Sequence, residues 1–119
     1  MIIDEALNSK TIDAIERHYL HAKEKHPYFA DVLLDSIDTK DRTAVMLEIA
    51  RRHIDMYAGT CLRPFDVLAC EIAEAKHAIA KGDSAAAIEE LYDCAAVCLR
   101  TIDVLKGRQA LGKTKEGEK

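Results

Sequence analysis

The sequence predicts an all-α protein, a bundle of four to five helices, on three observations. Ala, Glu, Leu, Ile and Lys dominate its 119 residues, so local propensity favours helix nearly throughout. Only five Gly and two Pro interrupt that tendency. No run of alternating β-branched residues lies between turn signals, so no strand is expected.

Each helix has readable ends. Asn8 and Ser9 are suited to cap a first helix over about residues 11–25, with Ile12, Ile15, Tyr19 and Ala22 along one face. Pro27 closes it, and residues 30–34 are expected to form a short helical turn. Thr39 or Asp41 opens a second helix reaching about Tyr57, with Gly59 placed to end it in the left-handed conformation. Pro64 fits the first turn of a third helix, capped by Thr60 or a neighbour, which runs to about Lys81 and stops at Gly82. Asp83 or Ser84 then caps a fourth helix, expected to reach Lys106 just ahead of Gly107. Helices three and four therefore form a tight hairpin at the centre of the fold. Residues 1–106 are expected to make a single domain. Residues 107–119 alternate charge without apolar periodicity and are expected to form a flexible tail.

Composition excludes several partners. A formal net charge of −4 leaves no basic surplus to neutralise a nucleic-acid polymer. No stretch approaches the roughly eighteen continuous apolar residues of a membrane span. The opening MIIDEALNSK puts acids where a secretion signal needs bases. Four Cys in such a chain read as reduced thiols, so a cytoplasmic location is expected.

The chemistry concentrates in EIAEAKHAIAKGDSAAAIEELYDCAAVCLRTIDVL. Glu71-x-x-Glu74 lies on the third helix and Glu90-x-x-Asp93 on the fourth. Residues three apart on a helix point the same way, so each pair can grip one cation, and the hairpin sets the pairs opposite each other. Four oxygen donors suit magnesium, or manganese, rather than zinc. The main apolar stripes, Leu68, Ile72, Ala75 and Ile79 on one helix and Ile88, Leu91, Ala95, Cys98, Ile102 and Leu105 on the other, lie away from these acids. The acidic strips are edged instead by Val67, Ala78, Ala86 and Val97. Such strips fit a partly enclosed cleft better than open water, with a solvated face as the alternative. Cys94-x-x-x-Cys98 lacks the tight Cys-x-x-Cys knuckle of a zinc site, and the cysteines are expected to pack as small apolar groups.

Glu71-x-x-Glu74, then Lys81-Gly82-Asp83, then Glu89-Glu90-x-x-Asp93 resembles the signature of the all-α nucleoside triphosphate pyrophosphohydrolases, the MazG-like proteins related to dimeric dUTPases and phosphoribosyl-ATP pyrophosphohydrolases. The likeness covers about residues 62–105. It implies that Glu71, Glu74, Glu90 and Asp93 are magnesium ligands. It also implies that a (deoxy)nucleoside triphosphate is cleaved between its α- and β-phosphates to the monophosphate and pyrophosphate. A triphosphate can approach four carboxylates only with divalent cations between them. Such cations also acidify a bound water, which Glu74 or Glu90 is placed to orient or deprotonate. Arg100 and Lys81 are candidates for phosphate contact, with Arg51 and Arg52 beside them. The resemblance further implies a homodimer or dimer of dimers. The chain departs from many relatives at Cys70, where a Glu is common, at Val67, where several carry Lys, and at Arg100, where Asn is frequent. Two other readings stand beside it: a degenerate relative that binds nucleotide or metal without turnover, and a helical interaction module with no catalysis.

Overall fold

In the computed structural model, residues 8–30, 32–57 and 62–118 are described. All regular structure among them is helical, as composition predicts: α1 (Ser9–Lys25), α2 (Lys40–Tyr57), α3 (Pro64–Ala80) and α4 (Ser84–Glu118). None of these helices is long and apolar enough to cross a membrane. The chain divides into two compact units, Met1–Leu33 and Leu34–Lys119.

In the first unit, the Asn8 side chain accepts a hydrogen bond from the Lys10 N–H at 2.8 Å and caps α1. The apolar stripe of α1 is thin: Ile12, Ile15 and Tyr19 are 42–62% exposed. Residues 27–30 form a turn and 32–34 a bend, not the short helical turn expected there. Ala30 has φ +66°, a left-handed conformation that stops right-handed helix from propagating.

In the second unit, Thr39 Oγ1 accepts from the Arg42 N–H at 3.2 Å and opens α2. The expected helix-ending Gly59 and the candidate cap Thr60 fall outside the described residues, as does Cys61. Arg63 occupies the position before α3, with Pro64 in its first turn, where a missing N–H costs nothing.

The α3–α4 connection is compact. Gly82 takes φ +79° and its N–H donates to the Ile79 carbonyl at 2.9 Å, while the Asp83 N–H donates to the Ala78 carbonyl, also at 2.9 Å. This is the paired-bond ending of a Schellman motif. Asp83 Oδ1 in turn accepts from the Ala86 N–H at 3.0 Å, so the residue that finishes α3 also caps α4. A Cβ at Gly82 would meet no atom within 4 Å, so conformation rather than crowding sets the cost of substitution. Gly82→Ala is expected to lower unfolding free energy by about 1–2 kcal/mol, and Gly82→Asn by less. Urea denaturation measures both; equal stability of all three proteins would show that the turn does not depend on the left-handed conformation.

The fourth helix does not end before Gly107. It continues through Gly107 and Gly112 to Glu118. Arg108, Gln109, Ala110 and Leu111 between the two glycines are strong helix formers, and no Pro follows, so a penalty of about 1 kcal/mol per Gly slows propagation without stopping it.

α3 is the central element, packed against α2 on one side and α4 on the other. The buried apolar set of the described residues is small: Leu47, Cys70, Ala75, Ala78 and Ala87, each 3–6% exposed. Alanines at such positions let helix backbones approach closely. Thr43, also buried, donates its hydroxyl proton to the Lys40 carbonyl at 3.1 Å and lies 2.9 Å from His77 Nδ1, tying α2 to α3. The stripe read as the inner face of α4 is largely outside: Ile88 and Leu91 are each 51% exposed, Leu105 is 56% exposed, and Cys98 is exposed too. Less exposed are Ala87, Glu90, Cys94, Val97 and Thr101, each one position before a stripe residue, while of the stripe itself only Ile102 is comparably covered. One residue is about 100° of helix rotation, and that rotation carries the acidic strip into the α3–α4 contact.

Candidate metal centre

The turn sets the register of the acids. Glu74 and Glu90 are each eight residues from Gly82, and Glu71 and Asp93 are each eleven. At about 1.5 Å of rise per residue, the inner pair lies about 12 Å from the turn and the outer pair about 16 Å, level across the hairpin.

The side chains follow that register. Glu71, Glu90 and Asp93 each offer one carboxylate oxygen, and the three atoms lie within 4.8 Å of one another. Oε2 of Glu71 and Oε2 of Glu90 are buried and accept a hydrogen bond from no donor. A carboxylate has no proton to give its neighbour unless one of them is protonated. The structure's electrostatics show that pressure. Hydrogen bonding to Glu74, burial and hydrogen bonding to Glu71 push the Glu90 pKa up to about 8. Burial, with the charges of Glu74 and Asp93, raises Glu71 as well. Burial and the nearby acids Glu71, Glu90 and Asp93 raise the Cys94 thiol too, so it stays protonated beside the cluster. A proton is one way to relieve such crowding; a divalent cation is the other.

Glu74 has partners on both sides. It hydrogen-bonds to both Glu90 and Glu71, although the three oxygens that converge most closely are those of Glu71, Glu90 and Asp93. Its Oε1 also lies 3.4 Å from Arg51 Nη2 of α2 and accepts the Cys70 thiol at 3.9 Å. Burial, followed by the charges of Glu74 and Glu71, raises the Cys70 pKa. The pairing of Arg51 with Glu74 spans 23 positions, and no local pattern announces it.

Of the two phosphate-contact candidates, Arg100 lies on the same side of the hairpin as the acids. It lines a cleft of about 300 Å³ with Leu62, Pro64, Val67, Val97 and Val104. Val67 precedes Glu71 by four residues and Val97 follows Asp93 by four, so the cleft continues the acidic strip one turn further from Gly82. Lys81 lies at the closed end of the hairpin, exposed. It acts there on His77, whose pKa is lowered by burial first and then by Lys81, Lys40 and Arg51. The two cations thus flank the acids from opposite ends. A larger groove between α2 and α3, lined by Met46, Ile49, Ala50, Ala69, Ile72 and Ala73, contains none of the four acids.

The donor set fits a hard divalent cation. The converging atoms are all carboxylate oxygens, two of the three carboxylates have an orphaned buried oxygen, and no Cys or His takes part among the described residues. Comparison of the chain with protein-family models, with curated proteins and with solved structures gave no match.

Proposed function

We propose that the protein is a magnesium-dependent pyrophosphohydrolase of (deoxy)nucleoside triphosphates, with the α3–α4 hairpin as its active site. The observation that carries the reading is the convergence of Glu71, Glu90 and Asp93, one oxygen of each within 4.8 Å of the others, together with a buried, donor-less oxygen on each of Glu71 and Glu90. Manganese fits the same donors. A divalent cation held there supplies charge neutralisation for phosphate oxygens and a more acidic water. The chain's own residues do the rest. Glu71, Glu90 and Asp93 hold the cation, and Glu74, one step from Glu90, is placed to take a proton from an attacking water. Arg100 meets phosphate charge at the mouth of the neighbouring cleft, whose Val67, Val97 and Val104 offer an apolar wall to the nucleoside. The resemblance to MazG-like proteins in Glu71-x-x-Glu74 and Glu90-x-x-Asp93 supports the α–β bond as the one cleaved.

The same reading makes the working form a homodimer or dimer of dimers. Ile88, Leu91 and Leu105 recur at coiled-coil spacing on an exposed face of α4, and no large side chain among the described residues is fully buried. The test is a screen of purified protein, eluting larger than a monomer, against canonical and damaged nucleoside triphosphates with magnesium. Monophosphate and pyrophosphate in equal amounts are expected, with no diphosphate. Magnesium binding without product from any nucleotide would leave a degenerate binder, consistent with Cys70 and Val67; orthophosphate as first product would overturn the family reading.

A further inference from the structure

We infer that the apolar stripe of α4 packs on the same stripe of a second copy, antiparallel, about a two-fold axis between Ala96 and Val97. The inference rests on the homo-oligomer proposed above and adds the direction and register of the contact. Ile88, Leu91, Ala95, Cys98, Ile102 and Leu105 follow one another at steps of 3, 4, 3, 4 and 3 residues. That is coiled-coil spacing, and it reads the same from either end. Five of the six are exposed and Ile102 is half-buried, so the second unit leaves the stripe uncovered. Antiparallel pairing sets Ile88 against the partner's Leu105, Leu91 against the partner's Ile102, and Ala95 against the partner's Cys98. Each layer then occurs twice, the self-complementarity that a closed two-fold dimer requires.

Charge selects the direction. Residues 84–93 carry Glu89, Glu90 and Asp93 and no Lys or Arg, a net −3. Residues 100–109 carry Arg100, Lys106 and Arg108 against Asp103, a net +2. In this register each segment lies along the oppositely charged segment of the partner. A parallel pair would set acid on acid and base on base, within the roughly 10 Å over which exposed charges act.

The length of α4 asks for the same partner. Pro64 opens α3 eighteen residues before Gly82, and Arg100 stands eighteen after it, so α4 runs on past α3 from Thr101 to Glu118. Every residue from Asp103 to Leu111 is exposed, and Gly107 and Gly112 weaken the helix further. A helical stretch of that length is marginal until something packs on it, and the partner's α4 supplies the surface. The pairing also reaches the acids. Glu90 and Arg108 are eighteen residues apart, five whole turns, and so share one side of α4. A two-fold pair turns like side to like side. The partner's Arg108 therefore stands on the Glu90 flank about 7.5 Å along the axis, where the chain's own Arg108 is about 27 Å away.

Cysteine cross-linking reads the direction without reference to metal or nucleotide. In a Cys98→Ser background, Ile88→Cys and Leu105→Cys are made separately and also co-expressed. Either variant alone is expected to cross-link no more than the background protein, because its two new thiols lie about 26 Å apart along the axis. The co-expressed pair is expected to cross-link between copies. Leu91→Glu sets a charge against the partner's Ile102 and is expected to sediment as a monomer. Its far-UV circular dichroism should show the rest of the fold kept, because Leu91 is 51% exposed in the single chain.

Cross-linking of either single variant with itself would mean a parallel pair and overturn the inference. A dimer whose co-expressed variants fail to cross-link, or that Leu91→Glu leaves intact, would place the interface elsewhere and overturn it too. Wild-type protein that sediments as a monomer would remove the proposed oligomer together with its register, an outcome distinct from these.

Discussion

Asp93→Asn is expected to abolish pyrophosphate release while leaving helical content unchanged. Asp93 is exposed, so its side chain contributes little to packing, and Asn matches it in volume. What changes is one negative charge within 4.8 Å of the oxygens of Glu71 and Glu90. Loss of a supporting group around a metal commonly costs ten- to a hundredfold, so loss of a ligand is expected to cost more than about a hundredfold in kcat/KM. Pyrophosphate assay and far-UV circular dichroism on the same preparation separate chemistry from folding. Activity within threefold of wild type would mean that the acids are a solvated strip, the alternative the sequence leaves open.

Magnesium should raise stability, and the size of the rise should grow with pH. Binding to the native state alone contributes about 2.7 kcal/mol at a hundred times the dissociation constant. The pH dependence follows from the raised carboxyls. Glu71 and Glu90 hold protons in the native protein that the unfolded chain has released, so their contribution is full at low pH. That contribution is lost as pH rises from the ordinary carboxylate range to about 8, the Glu90 value. In chelator, stability is therefore expected to fall across that window. The cation needs the same carboxylates deprotonated, so its affinity climbs over the same range and offsets the fall. Thermal melts from pH 5 to pH 9, with chelator and with millimolar magnesium, display both slopes. Glu90→Gln should flatten the chelator slope and blunt the magnesium response; Glu16→Gln on α1 should do neither. Curves that coincide with and without magnesium at every pH would remove the cation from the account.

How far the sequence could be read depends on the range of the interaction. Helix type and number come from propensity, and the Gly82-Asp83 turn comes from two residues whose roles are local, so both are legible. The approach of Glu71 to Glu90 and Asp93 is legible too, because a short connection between two helices leaves little freedom of register. The inward-facing side of α4 is not. Hydropathy marks Ile88, Leu91 and Leu105 as the apolar stripe, but it cannot say whether that stripe meets α3 or a surface outside the unit, and the covered positions prove to be ones such as Ala87, Glu90 and Cys94. Neither is the Arg51–Glu74 pair, which needs the packing of α2 on α3 to be known first. The run of α4 past Gly107 is not legible either, because a glycine reads as a stop while its helix-forming neighbours carry the helix through.

The symmetric placing of the acids about Gly82 has a consequence for how this chain can change length. One residue inserted between Lys81 and Ser84 would rotate α4 by about 100° and slide it by about 1.5 Å. Glu89 would then stand eight places beyond the turn and Tyr92 eleven, leaving Asp93 out of register. One residue removed would bring Leu91 and Cys94 to those places and empty α4's side of carboxylates altogether. Neither change touches an acid, yet either dismantles the cluster. In variants that keep the cluster, insertions and deletions are therefore expected to collect before Leu34 or beyond Lys106, where no pair of side chains measures its spacing across a bend in the backbone.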